Sequence, residues 1–174
     1  MDQLLEDLLS NNSNKILKAS IELANRGSLA VSSLIELLEQ DLSDAKKLIV
    51  AGVLANIGEE SVEKVINLMK MNNETKLIAA LILKDIGKNS VPQLLECLNH
   101  ESSEVKALTA EILGEINDVR ALDKLRELAN DSSDEVVIAA NEAIKEIEKP
   151  FASRVIDSVK YTSQIEKILK NIDK

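Results

Sequence analysis

Apolar side chains along the chain recur in helical blocks that end on similar short sequences. Each block holds about fourteen residues with apolar positions at helical spacing, and polar residues separate it from the next block. The endings lie 31, 29, 30 and 31 residues apart. They are "LANRG" at Gly27, "LANIG" at Gly58, "LKDIG" at Gly87, "LGEIN" at Asn117 and "IKEIE" at Glu148. Five similar endings in step indicate an internal repeat.

Each repeat is predicted to contain two helices. A shorter apolar segment precedes each long block, and a residue typical of helix N-termini stands between them, at Ser13, Asp44, Asn73, Ser103 and Asp134. The unit is therefore a shorter helix A, a polar turn, a longer helix B, and a stop where glycine supplies the left-handed residue that ends a helix. The predicted units are 1–27, 28–58, 59–87, 88–117 and 118–148.

Such a helix pair cannot bury its own apolar surface, so neighbouring units are expected to stack. We predict an all-α fold, an α-α superhelix (solenoid) of about five helix pairs in residues 1–149 with a further helix in 150–174. The composition agrees with this prediction. The 174 residues are 45% hydrophobic but only 1% aromatic, with two Pro and five Gly, which is typical of helices packed through aliphatic side chains.

One long segment carries a family resemblance. The segment "SEVKALTAEILGEINDVRALDKLRELANDSSDEVVIAANEAIKEI" resembles HEAT repeats of the short phycobilisome-lyase type, and residues 28–101 resemble them less closely. The family pattern has a Val-Arg-x-x-Ala-Ala-x-Ala-Leu-Gly-x-Ile-Gly-Asp helix, and here Lys106 and Val137 stand where Arg is usual. The period argues against tetratricopeptide and ankyrin repeats. The resemblance implies a right-handed superhelix in which helix B lines the concave surface.

An acidic stripe is predicted on helix B of units four and five. Glutamates recur at spacings of seven and four, at Glu104, Glu111 and Glu115 and again at Glu135, Glu142 and Glu146. Such spacing places each trio on one side of its helix, and this side faces water because buried, unpaired carboxylates are costly. We expect Glu111, Glu115, Glu142 and Glu146 to contact a partner.

The same side of helix B is apolar in units two and three. Its residues there are Leu48, Ile49, Gly52, Leu77, Ile78 and Leu81. A helix that is apolar almost all round is usually covered on every side. Three explanations remain open: neighbouring helices bury this strip, the tail of the chain covers it, or a partner protein docks on it. A strip of this size reaches the few hundred Å² at which exposed patches begin to mark partners.

The last 24 residues fit no sixth unit. They follow Pro150, hold both aromatic residues, Phe151 and Tyr161, and carry five basic against three acidic side chains, a net +2. One interpretation is a C-terminal cap over the last repeat, which solenoids need for solubility. The alternative is a helix that docks on the acidic array of a second copy and forms a homodimer. The charge is weak for a membrane-surface helix.

Charge and cysteine content narrow the functional classes. The formal net charge of −9 disfavours nucleic-acid binding, which depends on Lys and Arg displacing counterions. A single cysteine, Cys97, excludes an internal disulfide and suits a reducing compartment. The amino terminus lacks the features of a secretory signal, and the apolar runs are too short to span a bilayer. We expect a soluble, cytoplasmic protein without membrane contact.

Catalytic and metal-binding chemistry finds little support. One histidine and one cysteine do not make a usual tetrahedral metal site. The single pair His100-Glu101 lies outside helix B, so it does not fit the iron site of the HEAT-like deoxyhypusine hydroxylases. Cys97 is expected to be a core residue because leucines surround it on helix A. The glycines occur singly, so there is no phosphate-binding loop. No catalytic residue, metal or cofactor is predicted.

Lysines occupy the same position in three successive helices B, at Lys47, Lys76 and Lys106. The structural interpretation is that each pairs with a carboxylate such as Asp44 or Glu104. The functional interpretation is an anion-binding row, which the overall negative charge disfavours.

The sequence predicts a non-catalytic scaffold or adaptor that binds another protein, with a basic amphipathic helix as the natural ligand of an apolar and acidic face. A bilin lyase or isomerase subunit is the enzymatic alternative, but a bilin site calls for aromatic side chains that the array lacks. A third alternative is a nucleic-acid protein like the HEAT-like alkylpurine DNA glycosylases, which use basic, aromatic-lined grooves.

Overall fold

The chain folds into a row of antiparallel helix pairs. The computed structural model describes residues 1–71 and 75–149, which contain no β-strand. The helices of this part are α1 (Asp2–Leu8), α2 (Ser13–Asn25), α3 (Ser28–Leu38), α4 (Asp44–Ile57), α5 (Glu59–Lys70), α6 (Lys76–Ile86), α7 (Val91–Cys97), α8 (Ser103–Ile116), α9 (Leu122–Leu128) and α10 (Asp134–Glu148). Short 3₁₀ turns at Gly87–Asn89 and Val119–Ala121 precede α7 and α9.

The helices form two layers, and this confirms the predicted all-α superhelix. The even-numbered helices, which are the predicted helices B, pack in succession from α2 to α10. The odd-numbered helices α3, α5 and α7 pack in succession behind them. Each predicted unit holds one odd and one even helix. The additional helix that the sequence predicts in 150–174 lies outside the described residues.

A continuous aliphatic core fills the space between the two layers. Fully buried leucines come from both layers and from successive units, including Leu34, Leu54, Leu83, Leu94 and Leu113. Each such side chain stabilises the fold by about 1.5–3 kcal/mol relative to an exposed position. Because every unit shares its apolar side with a neighbour, the array is held together by contacts between units, as expected for a solenoid.

Helices α2, α4, α8 and α10 begin at the residues that the pattern indicated, Ser13, Asp44, Ser103 and Asp134, and the N-cap of each stands one residue earlier. The N-caps are Asn12, Ser43, Ser102 and Ser133, and each precedes the residue that the pattern had indicated. The Asn12 side chain accepts hydrogen bonds from the backbone N–H groups of residues 14 and 15, at 3.0 and 3.2 Å. The pattern did not single out the capping residue because both residues of each pair are good caps, and only the backbone geometry distinguishes them. The predicted cap Asn73 lies outside the described residues.

The glycine stops also differ from the prediction. Gly27, Gly58 and Gly87 have φ of 54°, 75° and 69°, but their ψ values lie between −133° and −135°. They therefore occupy a positive-φ region open mainly to glycine, and only Asn117 takes the left-handed helical conformation, with φ 59° and ψ 48°. Gly58 ends α4 and directly precedes α5. The extreme backbone turn thus lets one residue separate two antiparallel helices.

The expected difference in length between helices A and B holds only in part. In units one, four and five the helix A has 7 residues. In unit two, α3 has 11 residues and α4 has 14, whereas in unit three α5 has 12 residues and α6 has 11, the reverse of the expected order. The first turn of α5 carries Glu59, Glu60 and Ser61, which give no apolar signal, whereas the first turn of α3 already includes Leu29 and Val31.

Buried hydroxyls reinforce two of these turns. The Oγ of Ser90 lies within hydrogen-bonding distance of the carbonyl oxygens of Leu83 (3.0 Å) and Gly87 (2.8 Å). Ser61, three residues after Gly58 as Ser90 is after Gly87, makes the equivalent contacts at the end of α4. These carbonyl oxygens also accept hydrogen bonds from backbone N–H groups, those of Gly58 and Ser61 at the end of α4 and those of Gly87 and Ser90 at the end of α6, so each serine adds a side-chain donor to a turn that the backbone already closes. They link the end of each helix B to the helix A that follows it.

A buried carboxylate joins unit five to unit four. Arg120 donates hydrogen bonds to Asp118 at 2.8 and 3.0 Å, and to the carbonyl oxygen of Lys88 at 2.9 Å. These bonds from Arg120 lower the pKa of Asp118 to about 2. Asp118 also caps the 3₁₀ turn before α9 by accepting from the Arg120 N–H. One charged pair thereby connects the end of α8 to the turn that precedes α7.

The two last helices B approach each other most closely. A Cβ placed on Gly114 of α8 would lie 2.8 Å from the Cα and 2.9 Å from the Cβ of Ala143 on α10. Gly52 is the contrasting case, because a Cβ there would meet no atom within 4 Å. Small residues allow α8 and α10 to pack backbone against backbone, whereas the surface of α4 around Gly52 stays open.

Candidate functional site

The outer surface of the helices B carries a row of exposed apolar side chains. These side chains occupy one position of the repeat, ten residues before the stop of each unit. Leu17, Leu48, Leu77 and Ile138 are exposed to 59, 52, 72 and 58%. In unit four the position is Ala107, which is buried. We call Leu17, Leu48 and Leu77 the apolar row, since they lie on the adjacent helices α2, α4 and α6.

A groove lies between α2 and α4 beside this row. It has a volume of about 480 Å³, and its lining includes Leu17, Ile21, Leu48, Ile49 and Gly52. The absence of a side chain at Gly52 leaves the floor of this groove open. Ile21 is 53% exposed, so the groove presents apolar surface to solvent from two helices. Such surface is energetically unfavourable until a second apolar surface covers it.

A second groove, of about 240 Å³, lies between α6 and α8. Leu77 and Leu81 from α6 and Leu108 and Ile112 from α8 form its apolar walls. Two carboxylates, Glu111 and Glu115, stand on the α8 side. This groove therefore combines aliphatic walls with negative charge.

The six residues of the predicted apolar strip have different environments. Leu48, Gly52 and Leu77 are exposed, and Leu81 is half-buried. Ile49 and Ile78 are partly buried and pack against the core. Their positions on the helix turn them toward the neighbouring helix B. The strip is also divided between two grooves, with Leu48, Ile49 and Gly52 in the first and Leu77 and Leu81 in the second.

The four predicted acidic residues, Glu111, Glu115, Glu142 and Glu146, are all exposed on α8 and α10. Glu115 is paired with Lys84 of α6 at 2.7 Å. The pKa of Glu111 is raised, first because the groove shields its carboxyl from water and then because Glu142, Glu115 and Glu135 are negatively charged neighbours. The two helices therefore form a region of strong negative potential beside the second groove.

The lysines at the shared position of helix B form ion pairs in two units. Lys76 of α6 pairs with Glu104 at the start of α8, and Lys106 of α8 pairs with Asp131 in the turn before α10. The structural interpretation is thus confirmed for these two lysines, and their partners belong to the next unit rather than to the same helix. Both lysines are mostly buried, so these pairs tie neighbouring units together.

The single cysteine and the single histidine, which were considered above for catalysis and metal binding, take part in the packing and turns of the fold. Cys97 is buried in α7, as predicted, and this burial raises the pKa of its thiol. The Nδ1 atom of His100 accepts a hydrogen bond from the backbone N–H of Ser102 at 3.1 Å, in the turn before α8. Within residues 1–71 and 75–149, no three His, Cys, Asp or Glu side chains are placed to hold a metal ion together. None of the helices described there has the length and apolarity to cross a bilayer.

Leu17, Ile21 and Ile138 were missed by the sequence reasoning. An internal signal for two of them existed, because Leu17 and Ile138 stand at the same distance from their unit's stop as Leu48 and Leu77. The poor match of the first unit to the repeat pattern concealed that equivalence. Leu108 carried no such signal, and it lines the second groove opposite Leu77 and Leu81 of α6.

Part of the chain is similar to a known family of repeats. A family model described as HEAT repeats matches residues 62–145, which cover most of units three to five. Two crystal structures of engineered proteins from the Northeast Structural Genomics Consortium are similar to this chain. The first has 23% identity over 83% of this chain and 78% of the other, with a TM-score of 0.40. The second has 23% identity over 84% of this chain and a TM-score of 0.41, and the chain spans 47% of its length. No curated protein matches the sequence.

Proposed function

We propose that this protein is a non-catalytic interaction scaffold whose helix B surface binds an amphipathic, basic helix of a partner protein. The observation that carries this proposal is the apolar row. Leu17, Leu48 and Leu77 hold one repeat position on three adjacent helices, and each is more than half exposed. Isolated exposed leucines are ordinary, but an aligned series beside an open apolar groove favours a docking surface.

The spacing of the row suits a helical ligand. Packed helices lie about 8–10 Å apart, so successive leucines of the row are separated by roughly that distance. A helix rises about 1.5 Å per residue, and seven residues therefore advance about 10 Å. A ligand helix that crosses α2, α4 and α6 would present an apolar anchor to each leucine of the row from every seventh residue.

Charge supports a basic ligand. The chain has a net charge of −9, and the carboxylates of α8 and α10 lie at one end of the proposed docking surface. Opposite charge accelerates encounter and orients the approaching segment, while the apolar contacts supply most of the affinity. The part of the chain that the structure describes has no aromatic side chain, which weighs against the bilin and nucleic-acid alternatives.

Two narrower expectations remain part of the proposal. The repeat period of 29 to 31 residues supports the short phycobilisome-lyase type of HEAT repeat. The single, buried Cys97 supports a cytoplasmic location, where thiols remain reduced.

A designed peptide tests the function. The probe is a labelled 21-residue helix with leucine at positions 1, 8 and 15 and at the intervening i+3 or i+4 positions, glutamine on the outer face, and lysine at position 18. A second peptide carries the same residues in the reverse sequence order. Fluorescence anisotropy measures binding to the full chain and to the variants Leu48→Ser and Leu77→Ser. Each variant removes part of one anchor contact, and we expect an affinity loss of about fivefold per site.

Leu29→Ser is the matched control. Leu29 is 78% exposed but lies at the start of α3, away from the apolar row, so this variant should bind the peptide as the wild type does. Equal losses in Leu29→Ser and Leu77→Ser would show nonspecific hydrophobic adsorption. Absence of binding by both peptide directions at millimolar concentration would refute the proposed function.

A further inference from the structure

The first groove, between α2 and α4, and the second groove, between α6 and α8, differ in the side chains that line them. The first groove is lined by apolar residues and by the small polar side chains Ser13, Ser20 and Asn56, without any charged residue. The second has aliphatic walls but also holds Glu111, Glu115 and Lys84. A ligand that fits both grooves must therefore change character along its length.

The cation already in the second groove neutralises only one of its carboxylates. Lys84 pairs with Glu115 at 2.7 Å. Glu111 points to the same groove, and the charged groups that act on it are Glu115 of its own helix and Glu142 and Glu135 of α10. A positive charge placed at Glu111 would relieve repulsion that the free protein carries.

The walls suit the stem of a long side chain. Leu77, Leu81 and Leu108 flank the path into the groove, and the apolar carbons of a lysine or arginine commonly lie along such a surface while the charged end stays at a polar site. The groove volume of about 240 Å³ accommodates one side chain of this size rather than a whole helix turn.

We infer that the groove between α6 and α8 is a subsite for one lysine or arginine side chain of the partner helix, with its methylene groups against Leu77, Leu81 and Leu108 and its cation at Glu111. This inference rests on the proposed function and adds an orientation to it. The apolar end of the partner lies over α2 and α4, and its cationic residue lies between α6 and α8. On a helix with anchors at positions 1, 8 and 15, position 18 or 19 shares their face and reaches this groove.

A pair of peptides isolates the cation. The 21-residue probe carries lysine at position 18, and its partner peptide carries norleucine there, which keeps the aliphatic stem and removes the charge. Both peptides, in both directions, are titrated against the full chain, against Glu111→Gln and against Glu96→Gln. Glu96 is an exposed carboxylate on α7 of the same unit, so its substitution changes the net charge equally without touching the groove.

The expected result is a coupling between the peptide charge and one carboxylate. Glu111→Gln should weaken the lysine peptide by about three- to tenfold and leave the norleucine peptide within a factor of two, since partly exposed ion pairs lie at the lower end of measured couplings. Glu96→Gln should affect both peptides equally and slightly. In 0.5 M salt the advantage of the lysine peptide should shrink, because screening weakens exposed charge pairs.

Carboxyl NMR supplies a readout that a purely structural role of Glu111 would not change. The Glu111 signal is assigned by its loss in Glu111→Gln and titrated with pH. Binding of the lysine peptide should lower the pKa of Glu111, because the cation stabilises the carboxylate. Binding of the norleucine peptide should raise it, because a neutral stem only shields the carboxyl from water.

The outcomes separate the two proposals. In one outcome both peptides bind with equal affinity, both lose affinity in Leu48→Ser and Leu77→Ser, and both shift the pKa of Glu111 in the same direction. The scaffold function then stands and the cation subsite is wrong. If neither peptide binds in either direction, both proposals are wrong. Coupling to Glu111 with opposite pKa shifts supports the subsite.

Discussion

Replacement of Gly114 by alanine tests whether backbone contact between α8 and α10 holds the last two units together. A Cβ at this position would stand 2.8 Å from the Cα of Ala143, whereas carbon atoms in contact prefer about 3.5–4.0 Å. The obstacle is a backbone atom, which cannot rotate away as a side chain does. The two helices must therefore move apart along part of their contact.

The expected magnitude follows from two opposing effects. Separating packed helices to admit one methyl group costs about 1–3 kcal/mol, and a backbone obstacle favours the upper part of that range. Alanine is favoured over glycine inside a helix by about 1 kcal/mol. We therefore expect Gly114→Ala to lower the free energy of unfolding by about 1–2 kcal/mol.

Gly52→Ala is the matched control because the same substitution meets no atom within 4 Å there. It should raise the free energy of unfolding by up to about 1 kcal/mol, so that the two variants shift in opposite directions. Urea unfolding followed by circular dichroism measures both, and amide hydrogen exchange in α10 locates the loss. A Gly114→Ala protein as stable as Gly52→Ala would refute the close packing of α8 on α10.

Two further substitutions test the turns. Ser90→Ala removes the hydroxyl that contacts the carbonyl oxygens at the end of α6. The free energy of unfolding, measured in urea, should fall by about 1–2 kcal/mol. An unchanged urea midpoint would contradict the stabilising role of the buried serines. Asp118→Asn should lower the free energy of unfolding by about 1–2 kcal/mol at pH 6. This figure is smaller than the pKa shift alone would give, because Arg120 is half exposed and water screens the pair. Since the pKa of Asp118 falls from 3.8 to about 2 on folding, its contribution is present above pH 4 and is lost toward pH 2. The difference between wild type and variant should therefore shrink over that interval, and a constant difference would refute the assignment.

The repeat architecture was predictable because its signals are local. Helix propensity, apolar spacing and a glycine or asparagine stop recur every 29 to 31 residues, and each depends on neighbours within a few positions. The capping residues were not singled out because adjacent residues such as Asn12 and Ser13 are both suitable caps. The role of Ser90 had no local signal, since a serine after a glycine stop is also an ordinary turn residue.

The candidate surface was only partly predictable. Leu48 and Leu77 were recognised as apolar residues on the outer side of their helices, and the carboxylates of α8 and α10 were placed on that side as well. The separation into two grooves, and the partial burial of Ile49 and Ile78, depend on how far successive helices B lie from one another. The pattern of apolar and polar residues within one helix carries no information about the distance between neighbouring helices.

By itself, the amino-acid sequence determined that the protein is a row of helix pairs, which pairs follow one another, and which side of helix B carries charge in units four and five. Helix geometry relates these features directly to residue spacing. Only the tertiary structure decided which apolar side chains remain exposed. The physical reason is that exposure depends on how closely neighbouring helices pack. Gly114 allows α8 and α10 to come into backbone contact, whereas grooves remain between α2 and α4 and between α6 and α8.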